Sequence, residues 1–147
     1  MPNAETHKTL GALAGFVSLL LLPPLSPTAG TATLIGRIAG GAAGGLLPDR
    51  LEPATNPRHR RTCHSATVGG AALSCVDAAR RLETFLENKS AELRRAASGQ
   101  SDAVSRFLLN FAAWITEFLG SAAVGVVAGY ISHLAADLRT PAGIPAV

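Results

Sequence analysis

No charged residue occurs across positions 9–36. A stretch of that kind needs a low-dielectric place to lie, in a bilayer or deep inside a helical core. Pro23, Pro24 and Pro27 cut it, so the clean apolar run covers only 10–22, short of the roughly 20 residues that span a bilayer. A proline-interrupted or tilted span, a re-entrant helix and a buried core helix all fit such a run. The start of the chain, MPNAETHK followed by LGALAGFVSLLLL and small residues around TAGTA, also imitates a secretory signal peptide. Lys8 as the single basic residue and Glu5 beside it count against that reading, in which a secreted helical domain would lose His7 with the cleaved peptide.

Four further apolar segments follow, at 31–47, 65–76, 107–119 and 121–136. None alternates with the period of a strand, and Ala and Leu dominate over β-branched residues, so all are read as helices. Runs of small residues, GGAAGG at 40–45, GGAA at 69–72 and GVVAG at 125–129, let helices approach closely, as membrane bundles do. Apolar residues make up 48% of the chain and charged ones only 16%, below the usual quarter for a soluble protein. The expected fold is all-α: a membrane-associated bundle of about five apolar helices plus one amphipathic charged helix, in a single domain over 1–147. The net charge of +3 comes from 13 basic and 10 acidic residues without a basic stripe interleaved with aromatics, so direct binding of nucleic acid is not expected. Membrane lipid is the expected surrounding, and the inner (plasma) membrane the expected location. Cys63 and Cys75 match neither a redox pair nor a zinc pattern and are read as free thiols.

Two segments depart from the apolar composition. Residues 77–106 concentrate charge around a helical-period stripe of Leu82, Phe85, Leu86 and Leu93, the pattern of a helix that covers the bundle with that stripe and breaks near SGQSD at 98–102. Residues 48–63, PDRLEPATNPRHRRTC, are rich in proline and arginine and form a polar loop, where chemistry is reached from water.

Metal-ligating residue types sit beside the apolar segments. His7 precedes the first, Asp49 and Glu52 follow the second, His59 and His64 flank the arginine loop's junction with the third, and His133 and Asp137 stand four apart in the last. On a helix that spacing puts imidazole and carboxylate on one face. Ionisable groups in apolar surroundings are costly unless they meet partners, so the set points to one shared polar site. Glu117 has no ligand-type residue one turn away and is read as structural.

Three segments, LLPDRLEP, HRRTCHS at 59–65 and GYISHLAADLRTPAGIP at 129–145, with a histidine ahead of the first apolar helix, together resemble the motifs of a known family. It is the family of LexA-binding, inner-membrane-associated, metal-dependent hydrolases, with Cys63 standing where that family has threonine. More distantly, the order of His, Asp, His and His-x-x-x-Asp is similar to the ligand order of the all-helical zinc-dependent phospholipase C and P1 nuclease superfamily. The resemblance implies His7, Asp49, His64, His133 and Asp137 as ligands of a divalent metal, zinc foremost. It implies Glu52 or His59 as a supporting or proton-transfer group, with Arg60 and Arg61 facing a phosphate. By the family's label it also implies a LexA-like protein partner. The activity expected is hydrolysis of phosphoester or lipid-like substrates by metal-activated water. The alternative is a non-catalytic membrane protein whose His/Asp cluster ties helices together and which acts by binding a partner.

Overall fold

A computed structural model gives the structure of residues 3–24, 30–52, 63 and 65–138. The described residues form four helices: α1 (Ala4–Leu21), α2 (Thr31–Leu51), α3 (Ala66–Ser98) and α4 (Ala103–Leu138). The expected arrangement of five apolar helices plus one amphipathic helix is therefore corrected. Segment 65–76 runs without a break into 77–98, and 107–119 runs into 121–136. Neither junction holds a proline, and the lone Gly120 is held in the helix by its close packing on Glu83 of α3. Of the four, α4 alone is long and apolar enough to cross a membrane by length and composition.

The helix ends follow from local chemistry. Asn3 caps α1 by accepting from the Thr6 backbone N–H at 2.9 Å, so the helix starts ahead of the apolar run and includes His7, contrary to expectation. The prolines after Leu22 end it. Pro48 does not end α2 but lies inside its last full turn, so Asp49 belongs to the helix rather than to the polar loop. A proline lacks one intrahelical donor, which a helix near its end tolerates when packing holds it, and Pro48 is buried. Ser65 caps α3 through the Val68 N–H. The Asp102 carboxylate accepts from the Ser105 N–H at 2.7 Å and caps α4.

The helices pack around α4, which touches each of the other three, while α1 also packs on α2. α2 and α4 run parallel: Gly36 lies on Phe118 and Ser121, Gly40 on Ala122 and Gly44 on Val126. α1 runs antiparallel to α2, with Gly15 against Arg37 and Gly11 against Gly45. α3 runs antiparallel to α4, with Gly69 near Leu134 and Gly120 near Glu83. At the triple crossing, the backbone of Gly41 takes up the space where a side chain on Gly11 or on Gly129 would stand. Helices meet that closely only when no Cβ intervenes.

Polar and charged side chains make up much of the interior, and many large apolar ones lie outside. The buried apolar residues are chiefly alanines with Val124, Tyr130 and Leu134, whereas His7, Ser18, Arg37, Glu83, Glu117, His133 and Asp137 are all buried. Leu13, Phe16, Leu20 and Leu21 of α1 and Val104, Phe107, Leu108 and Phe111 of α4 face outward. The expected inner face of α3 is also corrected. Leu82 and Phe85 are exposed, and the helix meets the bundle through Ala79, Glu83, Glu87, Ser90 and Ala97 instead, with Leu86 packed at Gly120.

Candidate metal centre

Three helix ends converge at one end of the bundle. α1 brings His7 from its first turn, α2 brings Asp49 from its last, and α4 brings His133 and Asp137. Ligand-type atoms of His7, Asp49 and His133 all lie within 4.8 Å of one another. His133 Nε2 is 3.6 Å from an Asp137 carboxylate oxygen and 3.8 Å from one of Asp49, while His7 Nε2 is 3.8 Å from the other oxygen of Asp137. The two imidazoles stack with centroids 3.8 Å apart. His133 and Asp137 are almost wholly buried, and Asp49, at 40% exposure, forms the watered edge of the cluster.

The backbone sets the chemistry of His133. Its Nδ1 lies 2.7 Å from the Gly45 carbonyl oxygen. A carbonyl only accepts, so Nδ1 carries the proton, and Nε2 is the ring nitrogen left facing the carboxylates. A hydrogen bond of this kind from the far ring nitrogen is how metal-ligating histidines are oriented. Gly45 can deliver that carbonyl because it lies on the glycine face where α1 and α2 cross.

The spacings suit a shared cation. Separations of 3.6 to 3.8 Å exceed the hydrogen-bond range. Two ligands about 2.1 Å from one tetrahedral ion stand about 3.4 Å apart, close to what the cluster shows. Two carboxylates also supply the charge that a divalent cation would balance, which would offset the cost of burying Asp137. The donor set fits a divalent metal.

Of the residues singled out from sequence, His7, Asp49, His133 and Asp137 are brought together. His59, Arg60, Arg61 and His64 lie outside the described residues. Glu52 follows α2, and its carboxylate accepts from the Cys63 backbone N–H at 2.7 Å. From the other side the Tyr130 hydroxyl, one turn before His133, donates to the Cys63 carbonyl at 2.7 Å. Cys63, the residue before His64, is thereby tied to both α2 and α4. Burial, and then the Glu52 charge, push its thiol pKa up.

Sequence reasoning missed a second polar centre further along the bundle. Arg37, wholly buried, pairs with Glu83 through two hydrogen bonds of 3.0 and 2.7 Å. It also donates to the Ser18 hydroxyl and carbonyl and to the Leu22 carbonyl. Glu83 accepts in addition from Ser121 at 2.9 Å and from Arg80 at 2.9 Å, so the network joins all four helices. The signal was present: Arg37 is the one charged residue across 9–48. Glu117, read as structural, accepts from the Gly30 N–H, the Thr33 hydroxyl and Arg94, and so fastens the start of α2 to α3 and α4.

Comparison with known proteins gives no support for a family: no family model matches the chain, and no curated protein and no solved structure matches it. The resemblance to LexA-binding proteins is thus without homology behind it. What stands is an all-α chain with one long apolar helix and a buried His/His/Asp cluster compatible with a divalent metal.

Proposed function

We propose that this chain is a membrane-embedded, divalent-metal-dependent hydrolase of phosphoester or lipid-ester substrates, with its metal held by His7, Asp49, His133 and Asp137. The observation that carries the reading is His133: fully buried, its Nδ1–H held by Gly45, its Nε2 turned toward two carboxylates. When bound, a zinc-like ion supplies a Lewis acid and brings the pKa of water down toward about 7. Asp137 and His7 hold the buried side of the site, and the exposed edge at Asp49 gives water and substrate a way in. A catalytic site needs such an open side, whereas a structural one is closed. Glu52 and His59 are the proposed proton-transfer groups, and Arg60 and Arg61, in the chain segment between Glu52 and Cys63, neutralise the substrate's developing charge.

Membrane placement is supported by the outward leucines and phenylalanines of α1 and α4 around a polar interior. Large apolar side chains in such number on the outside are uncommon in water-soluble proteins when they form one patch, and buried charge inside an apolar exterior is the habit of functional membrane bundles.

The test is elemental mass spectrometry of detergent-purified protein beside His133→Ala and Asp137→Asn, followed by turnover of chromogenic phosphoesters and lipid esters. Stoichiometric zinc or manganese in the wild type, lost from both variants, is expected. Full metal in both variants, or none in the wild type after reconstitution with several divalent ions, refutes the centre. A loaded protein that turns over no ester leaves the metal in a structural role and refutes the hydrolase.

A further inference from the structure

α3 lies along α4 in a constant antiparallel register. Gly69 lies near Leu134 and Gly120 near Glu83, so the two contacts are spaced alike on both helices. By that register Asp77 and Arg81 are level with residues 126 and 122 of α4, and Lys89 and Glu92 with residues 114 and 111. α4 has 36 residues, of which a span takes roughly 20. Every window of that length within 103–138 contains 111–114 or 122–126. Wherever a bilayer crosses α4, one of these two ion pairs of α3 lies at membrane depth.

The bundle does not cover them. Arg81 is 80% and Asp77 74% exposed, and Arg81 Nε donates to Asp77 Oδ2 at 2.8 Å. The four N–H groups on Nη1 and Nη2 of Arg81 make no hydrogen bond among the described residues. Lys89 and Glu92, 2.8 Å apart, are about half-exposed. Leucines and phenylalanines on the outside of α1 and α4 suit lipid, whereas charged groups in hydrocarbon are costly and face protein or water instead.

The face is neutral pair by pair, so neither an acidic nor a basic partner gains by docking on it. It calls for a surface that offers both signs at the same depths. A second copy inserted in the same direction does so by symmetry, because a two-fold axis along the span sets every residue level with its copy. The remaining donors of Arg81 then meet the carboxylate of Asp77 on the other chain, one turn away, and the reverse holds across the axis. Ser74 and Ala78, both exposed and four apart, leave room for the two backbones to approach there. We infer that the face of α3 from Ser74 to Glu92 is the self-complementary interface of a parallel homodimer. The inference rests on the membrane half of the function proposed above, and not on the hydrolase half.

The test is the association of the full chain in phosphatidylcholine vesicles, followed by energy transfer between labelled copies as the protein-to-lipid ratio is varied. The wild type should dimerise. Asp77→Leu/Arg81→Leu, which alters two exposed side chains that touch no other helix, should weaken association about ten-fold, the value of an interhelical polar contact in a membrane. In a Cys63→Ser/Cys75→Ser background, Ser74→Cys and Ala78→Cys should each form a disulfide-linked dimer under copper-phenanthroline oxidation, and Val104→Cys, on the exposed side of α4, should not. A monomeric wild type, undiminished association of the Leu/Leu variant, or equal cross-linking at Val104→Cys overturns the interface. Flotation and metal content, measured on the same preparations, separate the readings. Protein that floats with the vesicles and holds metal but stays monomeric loses only the dimer, whereas protein that does not float loses the membrane reading as well.

Discussion

One chemical change, glycine to alanine, should have opposite signs at two places in this bundle. Within a helix the change is favourable by about 0.5–1 kcal/mol, because alanine loses less backbone freedom on folding. Gly70 in α3 has nothing within 4 Å of where its Cβ would stand, so Gly70→Ala should realise that gain in full. At Gly129 the new methyl would lie 2.8 Å from the Gly41 carbonyl carbon and from the Gly45 nitrogen, with the Gly41 oxygen nearer still. These are backbone atoms, which cannot swing aside, so α2 and α4 must separate. Overpacking typically costs about 1–3 kcal/mol, and backbone-to-backbone crowding belongs at the upper end, leaving a net loss of roughly 2 kcal/mol after the propensity gain. At about 2–4 °C per kcal/mol for a chain of this size, thermal unfolding followed by circular dichroism in detergent should show Gly70→Ala melting about 1–4 °C higher and Gly129→Ala about 4–8 °C lower. If Gly129→Ala melts at or above the wild type, the close contact of α2 and α4 is wrong. The same variant displaces Gly45, which orients His133, so a fall in metal affinity should accompany the fall in stability.

Removing one partner of the buried Arg37–Glu83 pair, as in Glu83→Leu, should cost about 3–5 kcal/mol, while the double variant Arg37→Met/Glu83→Leu should recover a large part of that loss. Equal melting of the single and double variants would show that the pair does not act as a unit. Alkylation of Cys63, measured in a Cys75→Ser background, should be slow at neutral pH and accelerate as pH rises, because the raised pKa keeps the thiol protonated over a wider range. Glu52→Gln removes a charge that raises this pKa while its amide oxygen can still accept from the Cys63 N–H, so labelling should be faster at pH values below the thiol pKa. Slower labelling would show that the Glu52 charge does not act on the Cys63 thiol.

The all-α class and the convergence of His7, Asp49, His133 and Asp137 were legible in the sequence for a physical reason. Ligand-type side chains in apolar surroundings are too costly to be scattered, and the i,i+4 spacing fixes His133 and Asp137 to one face whatever the helix ends. Helix number was not legible. Small residues and charge changes look like boundaries, yet a helix ends only where its backbone loses partners, and neither the 76–77 junction nor Gly120 takes any away. The inner face of α3 was not legible because the helix packs through Ala79, Glu83 and Ala97, and Glu83 is drawn inward by Arg37 and Ser121 of other helices. Arg37 stands out as a lone charge in the sequence, but its partners, Glu83 and Ser18, are supplied by other helices and no local spacing reveals them. The role of Gly45 in orienting His133 likewise depends on its carbonyl, which carries no side-chain signature at all.

The contact of His7 with Asp137 joins nearly the first helical residue to nearly the last. During synthesis α1 is made long before α4, and until α4 emerges and docks, His7 and Asp49 have no second pair of ligands. On the proposed metal reading, capture at full affinity is therefore a late event that waits for the end of α4. A nascent or truncated protein lacking the end of α4 would leave its glycine-lined helices without the His133 and Asp137 contacts that tie the first helix and the end of the second to the last.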